Sequence, residues 1–407
     1  MNKKRFTAFT AAFAVMSTFT AFGADSVWTG AAGDGNWGTA GNWNPAPGSG
    51  NTAVFNGSAE VAIKSYWTNS AGTVISPTGF KVNSGEVKLL KAGASGSPYV
   101  VGTHPFVDVA EDATLYISNN VNYYNYGTFH KRGKGLFKMC DNSTLQGAYV
   151  WQFDVEEGVA EFDGSAARLT SFNVIVRSGA TLSAVNGGAM SYTNMILTLE
   201  EGSTLYLNNT ASVEPANLQG AGDIVAGPDG ASLKLSMGAN ASDVFTGTFG
   251  TNLYVMFAAP AAGVGKFVLQ RGDQLANIGS LRAGEGLTFK SGITDVYVRE
   301  VSRMPNSSTS VYMQDENGAP VNFHARLVDT GYLKFYGTGN LYVENGSADT
   351  VSLFQNVYQA TGIIVSTNGA ALRMGQGAST VHNFDYSGAG IKGIHVDSGS
   401  LKIENHS

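Results

Sequence analysis

One short pattern recurs along this chain of 407 residues and constrains its fold more than any other feature. Two apolar residues flank a third residue of variable type, a short turn with glycine follows, and a second apolar–x–apolar stretch begins soon after. Successive side chains of a β-strand face opposite sides, so each such triplet buries two residues and exposes the one between them. Copies begin at Phe80, Val107, Phe153, Val174, Leu197, Leu287, Ile363 and Ile394.

The glycine of the pattern marks a sharp bend between two strands. Glycine adopts a positive φ at no steric cost, which a residue with a Cβ does not. Asp112 takes the position once, and aspartate tolerates the left-handed region better than most residues. We therefore expect the two halves of each copy to be strands on different faces. The glycines are Gly85, Gly158, Gly179, Gly202, Gly292 and Gly399.

The spacing of the copies predicts how they stack. Gly158 and Gly179 are 21 residues apart, and Gly179 and Gly202 are 23 apart. Units of about 20–30 residues with two or three short strands are typical of one coil of a parallel β-solenoid. A sandwich or barrel would instead show hairpin signals every ~8–12 residues. The prediction is an all-β chain with a parallel β-helix over residues 61–407, irregular or looped around 236–335.

The first 24 residues have the order of a secretory signal peptide. Lys3, Lys4 and Arg5 precede an apolar stretch, and small residues follow at Ala21 and Ala24. The apolar run is short and rich in threonine, and no later segment approaches about 18 consecutive apolar residues, so we expect no transmembrane segment. The prediction is export to the cell surface, to the outer membrane or to the extracellular space.

Charge and cysteine content narrow the partners. Without residues 1–24 the chain has 22 basic and 31 acidic residues, a net charge of −9, which is unfavourable for nucleic-acid binding. Cys140 is the single cysteine, so packing rather than disulfides must hold the chain together. We expect Cys140 to be a small buried apolar residue.

Residues 129–147, FHKRGKGLFKMCDNSTLQG, resemble the autotransporter-associated β-strand repeat. Residues 27–55, with tryptophan, glycine and Asn-Trp followed by a proline turn, resemble the opening of such proteins. The resemblance implies a right-handed parallel β-helix, exported by a Gram-negative-type bacterium as a surface passenger. Members of that group end in a membrane β-barrel of about 10–14 strands. We find no such strands here and expect a passenger without the translocator barrel.

Three of the five tryptophans, Trp28, Trp37 and Trp43, lie in the glycine-rich segment 25–60. The first coil of a solenoid exposes strand edges and the end of its apolar core, which invites association. We interpret the segment as an N-terminal cap that covers this end. A platform for stacking sugars is the alternative, since indole rings also serve in that role.

Motifs for cofactor and metal chemistry are weak. The sequence GDGNWG at residues 33–38 matches a dinucleotide fingerprint, but the residues after it cannot form the required helix. The histidines lack metal-ligand spacing, so we assign no cofactor and no metal.

Glu156, Arg177 and Glu200 should lie on successive coils. They form either an exposed ladder of salt bridges or, alternatively, an active-site arginine between carboxylates.

A tyrosine- and asparagine-rich stretch, residues 116–135, is the best candidate for a ligand-binding surface. Aromatic faces with amide donors bind carbohydrate and protein partners, so glycans or surface proteins are the expected ligands. A basic tail of Lys131, Arg132 and Lys134 follows. The alternative is a stack along the coil wall, with Lys131 as a structural lysine of the repeat. The candidate residues are Tyr116, Asn122, Tyr123, Tyr124, Asn125 and Tyr126.

Taken together, these patterns favour an exported passenger or stalk, structural or adhesive, without a catalytic centre. A polysaccharide-acting enzyme, a lyase or a hydrolase, is the alternative, because parallel β-helices also support that chemistry. Carboxylates beside arginine or lysine on adjacent coils would favour the enzyme. Uniform polar ladders would favour the stalk.

Overall fold

A computed structural model shows a chain built almost entirely of short strands. Within the described part, the one helix is a 3₁₀ turn at Ala40–Asn42, and no helix there could cross a membrane. The structure describes residues 24–403 except 49, 64–76, 93–98, 103–104, 119–121, 126, 141–142, 147–149, 166, 192–194, 210, 236–243, 259–264, 303–308, 329–332, 337–338, 344–350, 353–361, 366–370, 375–393 and 397–399.

Three long sheets form the walls of the molecule. Sheet 1 contains, in spatial order, β2 (Trp43–Asn44), β1 (Asp25–Trp28), β3 (Thr52–Phe55), β5 (Gly79–Val82), β8 (Phe106–Val109), β11 (Gly127–Arg132), β14 (Val150–Val155), β17 (Asn173–Val176), β20 (Ile196–Leu199) and β23 (Asn217–Gly220). Sheet 2 contains β4 (Ala59–Ile63), β6 (Glu86–Lys91), β9 (Thr114–Ser118), β12 (Leu136–Cys140), β15 (Val159–Asp163), β18 (Thr181–Val185), β21 (Thr204–Leu207), β24 (Asp223–Ala226) and β26 (Thr248–Phe249).

Sheet 3 has strands from both halves of the chain. It contains β7 (Tyr99–Gly102), β10 (Asn122–Asn125), β13 (Thr144–Gln146), β16 (Arg168–Thr170), β19 (Ala189–Ser191), β22 (Ser212–Glu214), β25 (Ala231–Leu235), β27 (Leu253–Phe257), β29 (Ser280–Ala283), β31 (Asp295–Ser302), β33 (Asn322–Val328), β35 (Asn340–Val343), β37 (Gly362–Val365) and β39 (Ile394–Val396). Smaller sheets pair β28 (Phe267–Leu269) with β30 (Leu287–Phe289), β32 (Thr309–Tyr312) with β34 (Leu333–Tyr336), and join β36 (Val351–Ser352), β38 (Ala371–Met374) and β40 (Ser400–Ile403).

The order of these strands confirms the predicted parallel β-helix. From β5 to β25 each coil contributes one strand to each sheet in turn, so β14, β15 and β16 are followed by β17, β18 and β19 in the next coil. Neighbouring strands of successive coils pair in parallel, with Phe153 beside Val174 and Val174 beside Leu197. The same core position therefore recurs at intervals of about one coil along the sequence.

The bends between sheet 1 and sheet 2 have the predicted backbone geometry. Gly158 has a φ of +65°, Gly179 one of +80°, and Asp112, which replaces glycine, one of +65°. At Gly158 a Cβ would also lie only 2.5 Å from the carbonyl carbon of Lys134 on the preceding coil. The bend at Gly158 thus requires glycine both for its φ and for the close approach of two coils.

The core lies inside the coils and is continuous. Phe153 of sheet 1, Phe162 of sheet 2 and Leu169 of sheet 3 are all fully buried members of one hydrophobic cluster. The rings of Phe153 and Phe162 lie 6.3 Å apart in a T-shaped arrangement. Full burial of such a side chain stabilises the fold by about 1.5–3 kcal/mol, and the coils repeat this contribution.

The tryptophan segment packs on the N-terminal end of this core. Strand β2 pairs antiparallel with β1, with Trp28 opposite Trp43, and forms the outer edge of sheet 1. The Trp37 amide donates to the carbonyl oxygen of Ala62 at 2.9 Å, which covers the edge of sheet 2. Trp37 and Trp43 are buried, so their rings have almost no surface to offer a sugar. The boundaries 25–60 and 61–407 stay predictions.

Two details differ from the regular repeat. Cys140 is half-buried rather than buried, because Phe137 and Met139 take the inward positions of β12 and Cys140 follows on the outward side. Among the strands that the structure describes, sheets 1 and 2 end at β23 and β26, whereas sheet 3 continues to β39. The irregular region predicted at 236–335 overlaps this change, and its boundaries also stay predictions.

Candidate functional site

A cluster of charged side chains covers part of the outward face of sheet 1. We call it the charged grid; it consists of His130, Arg132, Asp154, Glu156, Arg177 and Glu200. His130 and Arg132 lie on β11, Asp154 on β14, and the other three follow β14, β17 and β20 at the bends. His130 is the register neighbour of Asp154, because β11 and β14 pair in parallel. The grid therefore spans four successive coils.

Arg177 connects the carboxylates of the coils on either side of it. Its Nε and Nη2 donate to the two carboxylate oxygens of Asp154 at 2.8 and 2.7 Å, and its Nη1 donates to Glu200 at 2.8 Å. The Asp154 side chain is only 6% exposed, whereas that of Arg177 is 40% exposed. The ladder predicted from the sequence has Glu156 before Arg177. Asp154 is the partner instead, because it lies on the strand and points along the sheet face.

Glu156 binds to the coil on its other side. Its Oε1 lies 2.6 Å from Nδ1 of His130, and its Oε2 accepts from Nε of Arg132 at 3.1 Å. Although partial burial opposes ionisation, the hydrogen bond with His130 and the charge of Arg132 hold the pKa of Glu156 below its ordinary value. Glu156 is therefore a carboxylate at neutral pH, bound on both oxygens.

Among the described residues, His130, Asp154 and Glu156 are close enough together to be considered as ligands of a metal ion. One ligand atom from each lies within 4.8 Å of the others. Sequence spacing did not indicate this set, because strand stacking brings together residues that are 26 positions apart. Arg132 and Arg177 already bind the two carboxylates and would repel a cation. We assign no ion to the set.

Lys131 points away from the grid and into the bend. Its side chain is fully buried, and its ammonium donates to the carbonyl oxygens of Arg132, Gly133 and Glu157 at 3.0, 2.6 and 2.9 Å. Burial lowers the pKa of Lys131 to about 8, against opposing charges of Asp108 and Glu157. Lys131 thus joins the bends of two coils and is closed to ligands, which is the structural role considered as the alternative.

The predicted tyrosine–asparagine surface is divided between two sheets. Tyr116 lies on β9 of sheet 2, between Lys88 and Lys138 in register, with the Lys88 ammonium 5.7 Å from its ring centroid. Asn122–Asn125, which include Tyr123 and Tyr124, form β10 of sheet 3. Tyr126 lies outside the described residues. A ligand surface made of these residues stays a prediction.

The GDGNWG segment is a turn, as predicted from its sequence. The Asp34 carboxylate accepts from the Thr39 hydroxyl at 2.6 Å, from the Asn42 amide at 2.6 Å and from the Asn36 backbone amide at 3.0 Å. These bonds, that of Thr39 first, lower the pKa of Asp34. Extended backbone and a three-residue 3₁₀ turn follow, so the helix that a dinucleotide site needs is absent from residues 34–48.

Comparison of the chain with protein-family models, with curated proteins and with solved structures found no match. The resemblance of residues 129–147 to the autotransporter-associated repeat therefore stays a prediction. The geometry of the grid and of the sheets has to support any functional proposal.

Replacing Arg177 with Gln should destabilise the protein by about 2–3 kcal/mol, because the buried carboxylate of Asp154 loses its partner. Arg132→Gln is the matched control. Arg132 and Glu156 are each about one-third exposed (36% and 32%). That substitution should cost about 0–1 kcal/mol. Urea denaturation measures both. Equal losses of unfolding free energy in the two variants would contradict this account. It would also be contradicted if adding Asp154→Asn to Arg177→Gln restored none of the lost stability.

The pKa of Lys131, about 8 in the folded chain, lies below its ordinary value of 10.5. Between these values the unfolded chain binds more protons, so the contribution of Lys131 to stability rises with pH. The free energy of unfolding relative to Lys131→Met should increase by about 1–3 kcal/mol from roughly pH 8 to 10.

Lys138→Met is the control for this experiment. Although burial opposes it, hydrogen bonds to Asp163 and Glu161 raise the pKa of Lys138. The stability that Lys138 contributes is therefore fully present below its unfolded pKa, and it should stay constant from roughly pH 8 to 10. A flat difference for Lys131→Met would contradict the buried ammonium.

Proposed function

We propose that this protein is an exported β-helical passenger or stalk with a structural or adhesive role and without catalysis. The parallel β-helix supports the proposal, because stacked coils make an extended scaffold in which each coil contacts mainly its neighbours. The first 24 residues and the net charge of −9 after them are in keeping with export. The proposal also rests on the resemblance to autotransporter-associated repeats.

The bonding of the charged grid carries the non-catalytic part of the proposal. A general base has to come within about 2.6–3.2 Å of a substrate proton. Asp154 lies beneath Arg177 and is 6% exposed on its side chain, so it is closed to a substrate. Glu156 is held on both oxygens by His130 and Arg132. The charged grid is therefore explained by ion pairs and hydrogen bonds that join neighbouring coils.

A polysaccharide-acting lyase or hydrolase is the second candidate. It is favoured by one observation, that carboxylates lie beside arginines on adjacent coils with His130 and Glu156 partly exposed. Incubation with acidic and neutral polysaccharides, followed by analysis of the products, tests it. Cleavage that is lost in Glu156→Gln and kept in Glu86→Gln, on sheet 2, would establish the enzyme and contradict our proposal.

The export proposal predicts where the chain is found. Expressed with residues 1–24 in a Gram-negative host, the protein should leave the cytoplasm, and mass spectrometry should show a chain that begins near Asp25. Deletion of residues 2–24 should keep it in the cytoplasm with the same β-type circular dichroism. A full-length chain that remains cytoplasmic with its first residues intact would contradict export.

A further inference from the structure

Three rings stack on one another on the outward face of sheet 3. Tyr297 of β31 lies beside His324 of β33, and His324 lies beside Tyr342 of β35, each pair in parallel register. The centroids of Tyr297 and His324 are 4.5 Å apart, and those of His324 and Tyr342 are 4.2 Å apart with an interplanar angle of 8°. We call this set the ring stack. It fixes the plane of each ring roughly parallel to the next.

Tyr297 ends the ring stack and is open to solvent. It is 48% exposed, one of few large apolar side chains in the described part of the chain with such exposure. The preceding strand of sheet 3, β29, pairs with β31 only at Leu281 and Val301. On the side of Tyr297 away from His324, the neighbouring backbone is that of turn residues 271–278 rather than a strand. Within the described residues, His324 is the only ring that stacks on Tyr297.

Polar groups stand on both sides of this ring. Strand alternation puts Asp295 and Tyr297 on one face, with their Cα atoms roughly 7 Å apart, and Arg299 follows where the pairing of β31 with β33 shifts register. Asp295 accepts from Asn322 at 3.1 Å and Thr294 at 2.8 Å, and lies 3.1 Å from Nε2 of His324. Arg299 is exposed. The surface is therefore an aromatic face with a carboxylate and a guanidinium at its rim.

Other tyrosines near sheet 3 differ in this respect. The guanidinium of Arg282 lies 3.7 Å from the ring centroid of Tyr254, and the ammonium of Lys266 lies 3.7 Å from that of Tyr312. A cation on a ring face is a stabilising contact that occupies the face. Among the described residues, no lysine or arginine lies over the ring of Tyr297, and the ring is exposed.

We propose that Tyr297 is a carbohydrate-binding platform on which one pyranose ring of an oligosaccharide stacks, extending the ring stack by one member. The C–H bonds on the face of a pyranose meet the electron-rich face of an aromatic ring favourably. Its hydroxyl groups point outward, where Asp295 accepts and Arg299 donates hydrogen bonds. An apolar peptide fits less well, because the open surface is a single ring bordered by charges.

The proposal deepens the adhesive role and rests on it for its biological meaning. It names glycans as the ligand class and a place on sheet 3, away from the Tyr116 and Asn122–Asn125 stretch. The binding itself is a property of the purified protein. A failure of export would leave the binding intact, and a failure of binding would leave export intact, so the two tests are independent.

Isothermal titration calorimetry with cellohexaose tests the platform, because the glucose rings of this probe carry only equatorial substituents and expose flat C–H faces. The wild-type protein should bind it. Tyr297→Ala should weaken binding at least about tenfold, as expected for a central aromatic contact, and Tyr297→Phe should retain it. Tyr254→Ala is the matched control, since Arg282 already covers that ring.

Circular dichroism and the urea midpoint of each variant confirm that the fold is kept, and Tyr297→Leu, which also removes the ring, replaces Tyr297→Ala if that variant does not fold. The proposal is overturned if the wild-type protein does not bind cellohexaose. It is also overturned if Tyr297→Ala binds as well as wild type, or if Tyr254→Ala loses binding to the same extent.

Discussion

The parallel pairing of each coil with the next is the interaction on which the rest of the structure depends. It places Phe153, Val174 and Leu197 in one buried column, although each is about one coil from the next in sequence. Backbone hydrogen bonds and apolar burial then act between the same neighbours, so the contribution of each coil depends on the coil beside it. The bend at Gly158 allows this pairing by bringing two coils into close contact.

The same pairing organises the outward faces. Because side chains at one register position lie about 4.8 Å apart, charges of opposite sign bond along the axis, as Arg177 and Glu200 do. Arg177 also reaches Asp154 of the preceding coil, two positions away in register. Rings at one position stack, as Tyr297, His324 and Tyr342 do. Sheet 1 thus presents bonded charges and sheet 3 presents aromatic surface. This division is the basis on which we propose a scaffold with a binding face.

Local patterns sufficed to predict the coils, because the triplet at Val174 and the bend at Gly179 each lie within one short stretch. The early strands of sheet 3 escaped the pattern, since strands such as Thr144–Gln146 have three residues and no glycine bend of this type. The copies at Ile363 and Ile394 do fall in sheet 3, on β37 and β39. The Asp154–Arg177 pair depends on the register between coils. His130 and Glu156, 26 residues apart, had the spacing of about one coil as the only signal. Cys140 was predicted to be buried, but it lies one position beyond the inward-facing Met139 on β12.

Crosslinking of cysteines placed at register neighbours tests the stacked coils most directly. Ile175 and Thr198 are partners on adjacent coils, and Thr198 is in turn the partner of Gln219. In a Cys140→Ala background, the pair Ile175→Cys and Thr198→Cys has the Cα separation, roughly 4.8 Å, that a disulfide accepts. The pair Ile175→Cys and Gln219→Cys lies two coils apart and should remain reduced. Oxidation of the second pair in preference to the first would contradict the parallel β-helix.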